Sequence, residues 1–214
     1  MITHNNEVAE NVAKSLLQVR AVKLSPEKPF DWASGWKSPI YCDNRLILSY
    51  PKIRTYIRQE FVNMIREEVG HIDVVVGVAT GGIGIGALVA QDLGLPFAYV
   101  RSSAKAHGLT NQIEGVVESG QRVVVIEDLI STGGSSMKAV DALREVGCNV
   151  KAMIAIFNYG FDVAAKRFEE ANCRMLSLSD YDALLDYAKT NDLLPNTNFT
   201  ELKKWRKDPA NWKK

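Results

Sequence analysis

The chain has 214 residues, 46% hydrophobic, 24% charged and 8% aromatic, the proportions of an ordinary globular domain and not of a disordered, collagen-like or disulfide-stapled one. Its 26 Lys and Arg balance 25 Asp and Glu, so no global field gathers nucleic acid and any anion binding has to be local. Three widely spaced cysteines, Cys42, Cys148 and Cys173, without a CxxC pair argue against a disulfide framework or a cysteine zinc site and suit a reducing cytoplasm.

The N-terminus is polar and acidic where a signal peptide needs a basic start and an apolar run, and reads as an exposed helix over 7–23 carrying Val8, Val12, Leu16 and Val19. Phe30 to Leu48, rich in aromatics and turn formers, predicts a short strand pair or an irregular lobe. A second amphipathic helix is expected from about Pro51 to Val69, with Ile53, Ile57, Phe61, Met64 and Ile65 on one face. The longest uncharged stretch, Val74 to Gln91, approaches membrane-spanning length but is broken by Thr80 and five glycines, so strand, turn and helix is the better reading and no span is expected.

From Asp73 the pattern repeats. DVVVGVA, LPFAYV, RVVVIEDLI and VKAMIAIFNY are apolar runs, with helices near Gly82–Leu93 and Ser136–Val146 and a further strand near Cys173–Leu178. Continuous Val and Ile runs belong to strands buried on both faces, hence an α/β fold of doubly wound type, a parallel sheet flanked by helices. No internal repeat or linker divides residues 1–214, and the basic end, TELKKWRKDPANWKK, reads as a solvated terminal helix and fray.

Ligands in such sheets bind beyond the carboxyl ends of the strands, so the informative residues follow each run. After the first run, Gly82-x-Gly84-x-x-Ala87 is a weak dinucleotide pattern. No acid closes the next strand to take a ribose hydroxyl, and the glycines serve equally for close helix packing, with Thr80-Gly81-Gly82 offering N–H groups to an anion. After the second run comes a long segment without apolar periodicity that carries Arg101, Lys105 and His107; loops of that length are usually functional. His4, His71 and His107 lack metal-ligand spacing, so no protein-held metal is expected.

The third run ends in Glu127-Asp128-Leu129-Ile130-Ser131-Thr132-Gly133-Gly134-Ser135-Ser136. Paired acids at a strand end can receive vicinal hydroxyls or face a hydrated divalent cation. The hydroxyl and glycine run has the composition of a phosphate cradle at a helix N-terminus. A ribose 5-phosphate presents both groups. Neither a GxxxxGK[ST] loop nor a GxSxG elbow occurs.

VVVIEDLISTGGSS resembles the 5-phosphoribosyl 1-pyrophosphate signature of the type I phosphoribosyltransferases. FDWASGWKSPIYCDNRLILSYP, RSSAKAHG and SLSDYDALLDYA are similar to segments of members that act on orotate, so the likeness runs from about residue 30 to 188. It implies a core over about 70–180, with about 1–50 and the C-terminal segment as a hood, and Mg²⁺-dependent transfer of ribose 5-phosphate to orotate. By the same resemblance Glu127 and Asp128 hold the ribose hydroxyls, and Ser131, Thr132, Gly133, Gly134 and Ser135 the 5-phosphate, Leu129 and Ile130 lying between them. Thr80, Gly81 and Gly82 match the pyrophosphate loop; Arg101, Lys105 and His107 would close over the pyrophosphate, part of that loop reaching into a second subunit of a homodimer. Lys37, Ser38, Tyr41 and Arg45 lie in the lobe over the base, and Ser131 matches a base contact. Lys105, His107 and Asp128 are the expected catalytic residues, and Mg²⁺ would be held mainly by the donor's pyrophosphate near Glu127 and Asp128. Many members carry lysine where this chain has Gly81 and Ala33, a basic residue in place of Ser102, and an orotate-binding arginine that is not evident in FNYGFD. Two alternatives are a transferase acting on a purine and a nucleic-acid-binding regulator on the same fold; residues 1–23 are short and acidic for the latter.

Overall fold

The computed structural model describes residues 2–3, 5–32, 35–101 and 112–213. In chain order it runs β1 (Ile2–Thr3), α1 (Asn6–Gln18), β2 (Val22–Leu24), β3 (Phe30–Asp31), β4 (Lys37–Ser38), β5 (Ile40–Cys42), a 3₁₀ segment (Asn44–Ser49) and α2 (Pro51–Met64). A π-helical turn (Ile65–Val69), β6 (Val74–Val78), α3 (Gly81–Leu93), β7 (Phe97–Val100), β8 (Ile113–Glu114), β9 (Arg122–Ile130) and α4 (Gly134–Glu145) follow. The rest is β10 (Asn149–Asn158), α5 (Asp162–Glu170), β11 (Met175–Asp180), α6 (Tyr181–Thr190) and α7 (Asn196–Lys207).

Among the described residues the main sheet has seven strands in the order β1, β11, β10, β9, β6, β7, β8. All are parallel except β8, which runs antiparallel to β7. The expected apolar runs are β6, β7, β9, β10 and β11. Their period of two divides the core between the faces of the sheet. Val74, Val76, Val123, Val125 and Met153 pack with Leu143 of α4 and Phe168 of α5, while Val75, Val124, Ile126 and Ile154 pack with Leu16, Phe61, Ile85 and Leu184 on the other helices. Each such side chain contributes about 1.5–3 kcal/mol relative to exposure. From β6 the chain passes to β7 on one side, then returns to β9 on the other. The switch of direction opens a crevice at the carboxyl ends of β6 and β9.

Two expectations are corrected. The first helix stops at Gln18, not residue 23: Arg20 turns into the left-handed region at φ 58, and Val22–Leu24 pairs antiparallel with Ile40–Cys42 as a strand. The lobe therefore holds two small ribbons, the second pairing Phe30 with Ser38. The C-terminal segment is not a solvated helix and fray. Phe199, Leu202 and Trp205 line one buried face of α7 while Lys203, Lys204 and Lys207 take the exposed one. The Trp205 ring lies 5.4–5.7 Å from those of Trp32, Tyr159, Phe161 and Tyr181, and its Nε1 donates to the Lys37 carbonyl at 3.1 Å. One aromatic cluster thus ties the N-terminal lobe to the sheet.

Candidate functional site

At the crevice, β6 and β9 each run through a glycine turn into a helix. Neither N-cap residue, Thr80 of α3 nor Gly133 of α4, makes a side-chain capping bond, so no cap side chain competes with an anion for the first-turn N–H groups. Gly133 enters α4 at φ 76, a conformation that suits glycine.

The acids stand between these helix ends. Glu127 is 4% exposed; its Oε1 accepts the Asp128 N–H at 3.0 Å and its Oε2 the Ser136 hydroxyl at 3.3 Å. The Asp128 carboxyl fills the place of the missing side chain at Gly81, where a Cβ would lie 2.1 Å from its Cγ. Gly82 packs as closely on the Ile126 carbonyl, at 2.3 Å from a would-be Cβ. Burial, and then the neighbouring Asp128 charge, pushes the Glu127 carboxyl well above the usual carboxylate range. Burial also raises Asp128. Two desolvated acids at one strand end are a site for groups that donate hydrogen bonds or carry positive charge.

Beyond Leu129 a cavity of about 250 Å³ is lined by Asp31, Trp32, Tyr41, Cys42, Leu129, Ser131 and Tyr159. It has the aromatic walls and few polar groups of a small planar ligand's pocket. Burial, helped by Asp128 and Asp43, raises the Cys42 thiol, which donates to Asn44 Oδ1 at 3.1 Å; it is not poised as a nucleophile. Lys37 Nζ lies 2.5 Å from Asp31 Oδ1, and the Arg45 guanidinium pairs with Asp43 at 2.7 Å. Arg45 still contributes to holding Asp128 down against burial. Ser38 is buried, its hydroxyl donating to the Ile40 carbonyl, and so braces the lobe instead of facing the cavity.

A second hollow of about 120 Å³ joins the two glycine turns, with Ala79, Arg101, Ser135 and Lys138 among its walls. Arg101 faces Glu114 at 3.5 Å. Lys105 and His107 lie outside the described residues. A wider groove of about 440 Å³ between α1 and α6 is rimmed by Glu10, Asp180, Asp182 and Asp186, a setting that repels phosphates.

Several residues at the crevice carry no signal of residue type in the sequence. Asn44, 1% exposed, donates from Nδ2 to the Asp128 carbonyl at 2.6 Å; Arg167 of α5 donates to the Thr132 carbonyl at 2.9 Å; Trp32 and Tyr159 wall the cavity beyond Leu129. Of the expected residues, the structure brings together Thr80 to Gly82, Glu127 to Ser135, Tyr41 and Arg101, while Lys37 and Arg45 stand at the edge on their own acidic partners.

Residues 47–181 match the family description of the phosphoribosyl transferase domain. The chain is 53% identical over 200 residues to the orotate phosphoribosyltransferase of Phocaeicola vulgatus, covering 94% of each chain. It is 50% identical over 207 residues to that of Listeria innocua, covering 97% of this chain and 99% of the relative. Among solved structures, the orotate phosphoribosyltransferase of Aeropyrum pernix superposes with a TM-score of 0.74 at 28% identity, over 86% of this chain and 99% of that one.

Proposed function

The chain belongs to the phosphoribosyltransferase family, among its orotate phosphoribosyltransferases, and on that premise we propose how the crevice divides the work. The enzyme transfers ribose 5-phosphate from 5-phosphoribosyl 1-pyrophosphate to orotate, giving orotidine 5′-phosphate and pyrophosphate, a step of pyrimidine biosynthesis. The observation that carries the assignment of parts is the Glu127 and Asp128 pair set between two helix N-termini with a base-sized cavity beyond Leu129.

In this reading Glu127 and Asp128 accept the ribose hydroxyls, their raised proton affinity favouring donors over anions. Ser131, Thr132, Gly133, Gly134 and Ser135 hold the 5-phosphate at the start of α4, with Arg167 bracing the loop through the Thr132 carbonyl. Thr80, Gly81 and Gly82 give the start of α3 to the pyrophosphate, and Arg101, Lys105 and His107 close over it. The base lies between Tyr41 and Leu129 beside Ser131, with Lys37 and Arg45 at the rim.

Bond breaking runs ahead of bond making, so positive charge grows on the ribose ring and negative charge on the leaving group. Asp128 and Glu127 favour the ring charge, and Lys105, Arg101 and His107 the leaving group, as preorganised electrostatics. Closure of the loop that carries Lys105 excludes water, which would otherwise hydrolyse the donor. Among the described residues no three His, Cys, Asp or Glu side chains form a ligand set, and the paired acids suit a cation brought in with the donor. Glu127 and Asp128 would lie beside such a Mg²⁺, which supplies charge neutralisation to the pyrophosphate oxygens. A homodimer sharing the Lys105 loop and a cytoplasmic location complete the reading; no described helix is long and apolar enough to cross a membrane.

The test is the loss of orotate ultraviolet absorbance with protein, Mg²⁺ and donor, run beside adenine, hypoxanthine and uracil. Turnover with orotate alone is expected. Turnover with a purine or uracil instead would discard the reading of the lobe, and silence with every base would favour the regulator.

A further inference from the structure

Strand β9 outlasts its neighbour β6, whose last pairing is Gly77 with Ile126. Past that point the main chain of Asp128 is held by side chains. Its N–H donates to Glu127 Oε1 and its carbonyl accepts from Asn44 Nδ2 at 2.6 Å. Asn44 belongs to the N-terminal lobe, opens the 3₁₀ segment two residues after the end of β5, and uses its other amide atom, Oδ1, to accept from Cys42 in the cavity wall. The peptide it grips joins Asp128, on the ribose side, to Leu129, on the base side. With 1% exposure, it has no water to replace either bond.

We propose that Asn44 is a positioning residue that sets the distance between the donor's ribose and the base by clamping the Asp128–Leu129 peptide to the wall of the base cavity. The inference rests on the transferase reading above. Residues that hold two reactants in line act on the transfer step, where a displacement of about 1 Å costs roughly 10²-fold. Water needs no such alignment with the cavity wall. The Asp128 carboxyl stays seated against Gly81, so loss of the clamp slows transfer to orotate without slowing hydrolysis of the donor.

The experiment measures both rates at saturating donor, orotate and Mg²⁺, with folding checked by near-ultraviolet circular dichroism at the assay temperature. Asn44→Ala is expected to lower kcat for transfer by about 10–100-fold while donor hydrolysis stays within about twofold, so the ratio of hydrolysis to transfer rises. Asn44→Asp keeps the size but has no donor when ionised. Its transfer rate relative to the unmutated chain should climb as pH falls and the carboxyl regains a proton to donate. Transfer and hydrolysis falling together in Asn44→Ala, transfer within about twofold of the unmutated chain, or a flat pH ratio for Asn44→Asp would each overturn the inference. Absence of transfer by the unmutated chain would overturn the parent reading and this one with it.

Discussion

The two ends of strand β9 carry charge in opposite ways. At its start Arg122 meets Asp73 side-on through one guanidinium edge, Nε to Oδ2 at 2.9 Å and a terminal nitrogen to Oδ1 at 2.8 Å, with its main-chain N–H on the same carboxylate. Those bonds, led by the Arg122 side chain, hold Asp73 far below the usual carboxylate range. At the other end Glu127 is buried with Asp128 half-buried beside it, and among the described residues neither has an ion-pair partner, Arg45 being taken by Asp43. Folding pairs the charge at the first end with a cation and leaves the second with hydrogen-bond donors but no cation, a setting that favours a ligand with hydroxyls or positive charge. The contrast separates charges that build the sheet from charges that use it.

The largest effect should come from the end without a cation. Asp128→Asn keeps the shape and the neighbours but removes the charge that favours the cationic ribose, and turnover is expected to fall by about 10²–10³-fold, the size of one preorganised electrostatic contribution, with the thermal midpoint undiminished. Steady-state kinetics beside a melting curve tests it. Wild-type turnover would make Asp128 a structural acid and erase the contrast.

A smaller loss follows from crowding that acid. In Gly81→Ala the new Cβ lies 2.1–2.3 Å from the Asp128 carboxyl atoms, so the carboxyl has to swing away while the backbone stays. Turnover should drop by roughly 10–100-fold, and a crystal structure of the variant should show Asp128 in another rotamer. An unchanged rate would mean that the position of this carboxyl does not matter.

The same division decides what was legible in the sequence. The Val and Ile runs, their glycine turns and the Glu127-to-Ser135 loop are local patterns that their own residues determine, so a parallel sheet and an acid pair at a strand end are legible in the sequence, whereas the strand order that places the crevice is not. Asn44 was not: its importance lies in a bond to a residue 84 positions away, and an asparagine before Arg45 looks like any turn residue. Trp205 failed for a related reason. Its basic neighbours suggest a solvated tail, and only the cluster with Trp32 and Tyr159 shows the apolar stripe outweighing them. Arg20 hides the end of α1 because nothing in an arginine announces φ 58. The resemblance puts Lys37 and Arg45 in the lobe over the base, but sequence does not show that Asp31 and Asp43 already hold them.

The smallest effect is thermodynamic and takes its sign from both ends. Because folding lowers Asp73, its contribution to stability is complete above the ordinary value of 3.8 and is lost as pH falls below it. Folding raises Glu127, so its contribution is complete below the ordinary value of 4.5 and is lost as pH rises toward the raised value. Glu127→Gln retains acceptor and donor atoms for the Asp128 N–H and the Ser136 hydroxyl, and its thermal midpoint relative to wild type should become more favourable as pH rises above about 4.5. Asp73→Asn should do the reverse, a modest deficit at neutral pH that closes as the medium is acidified, with turnover within about twofold of wild type because the pair lies at the far end of the strand. Melting curves of the three proteins from acid to neutral pH decide it. Parallel curves would show that the two ends do not differ in how they hold their charge, whereas divergence in opposite directions would locate the cost of the site in its own acids.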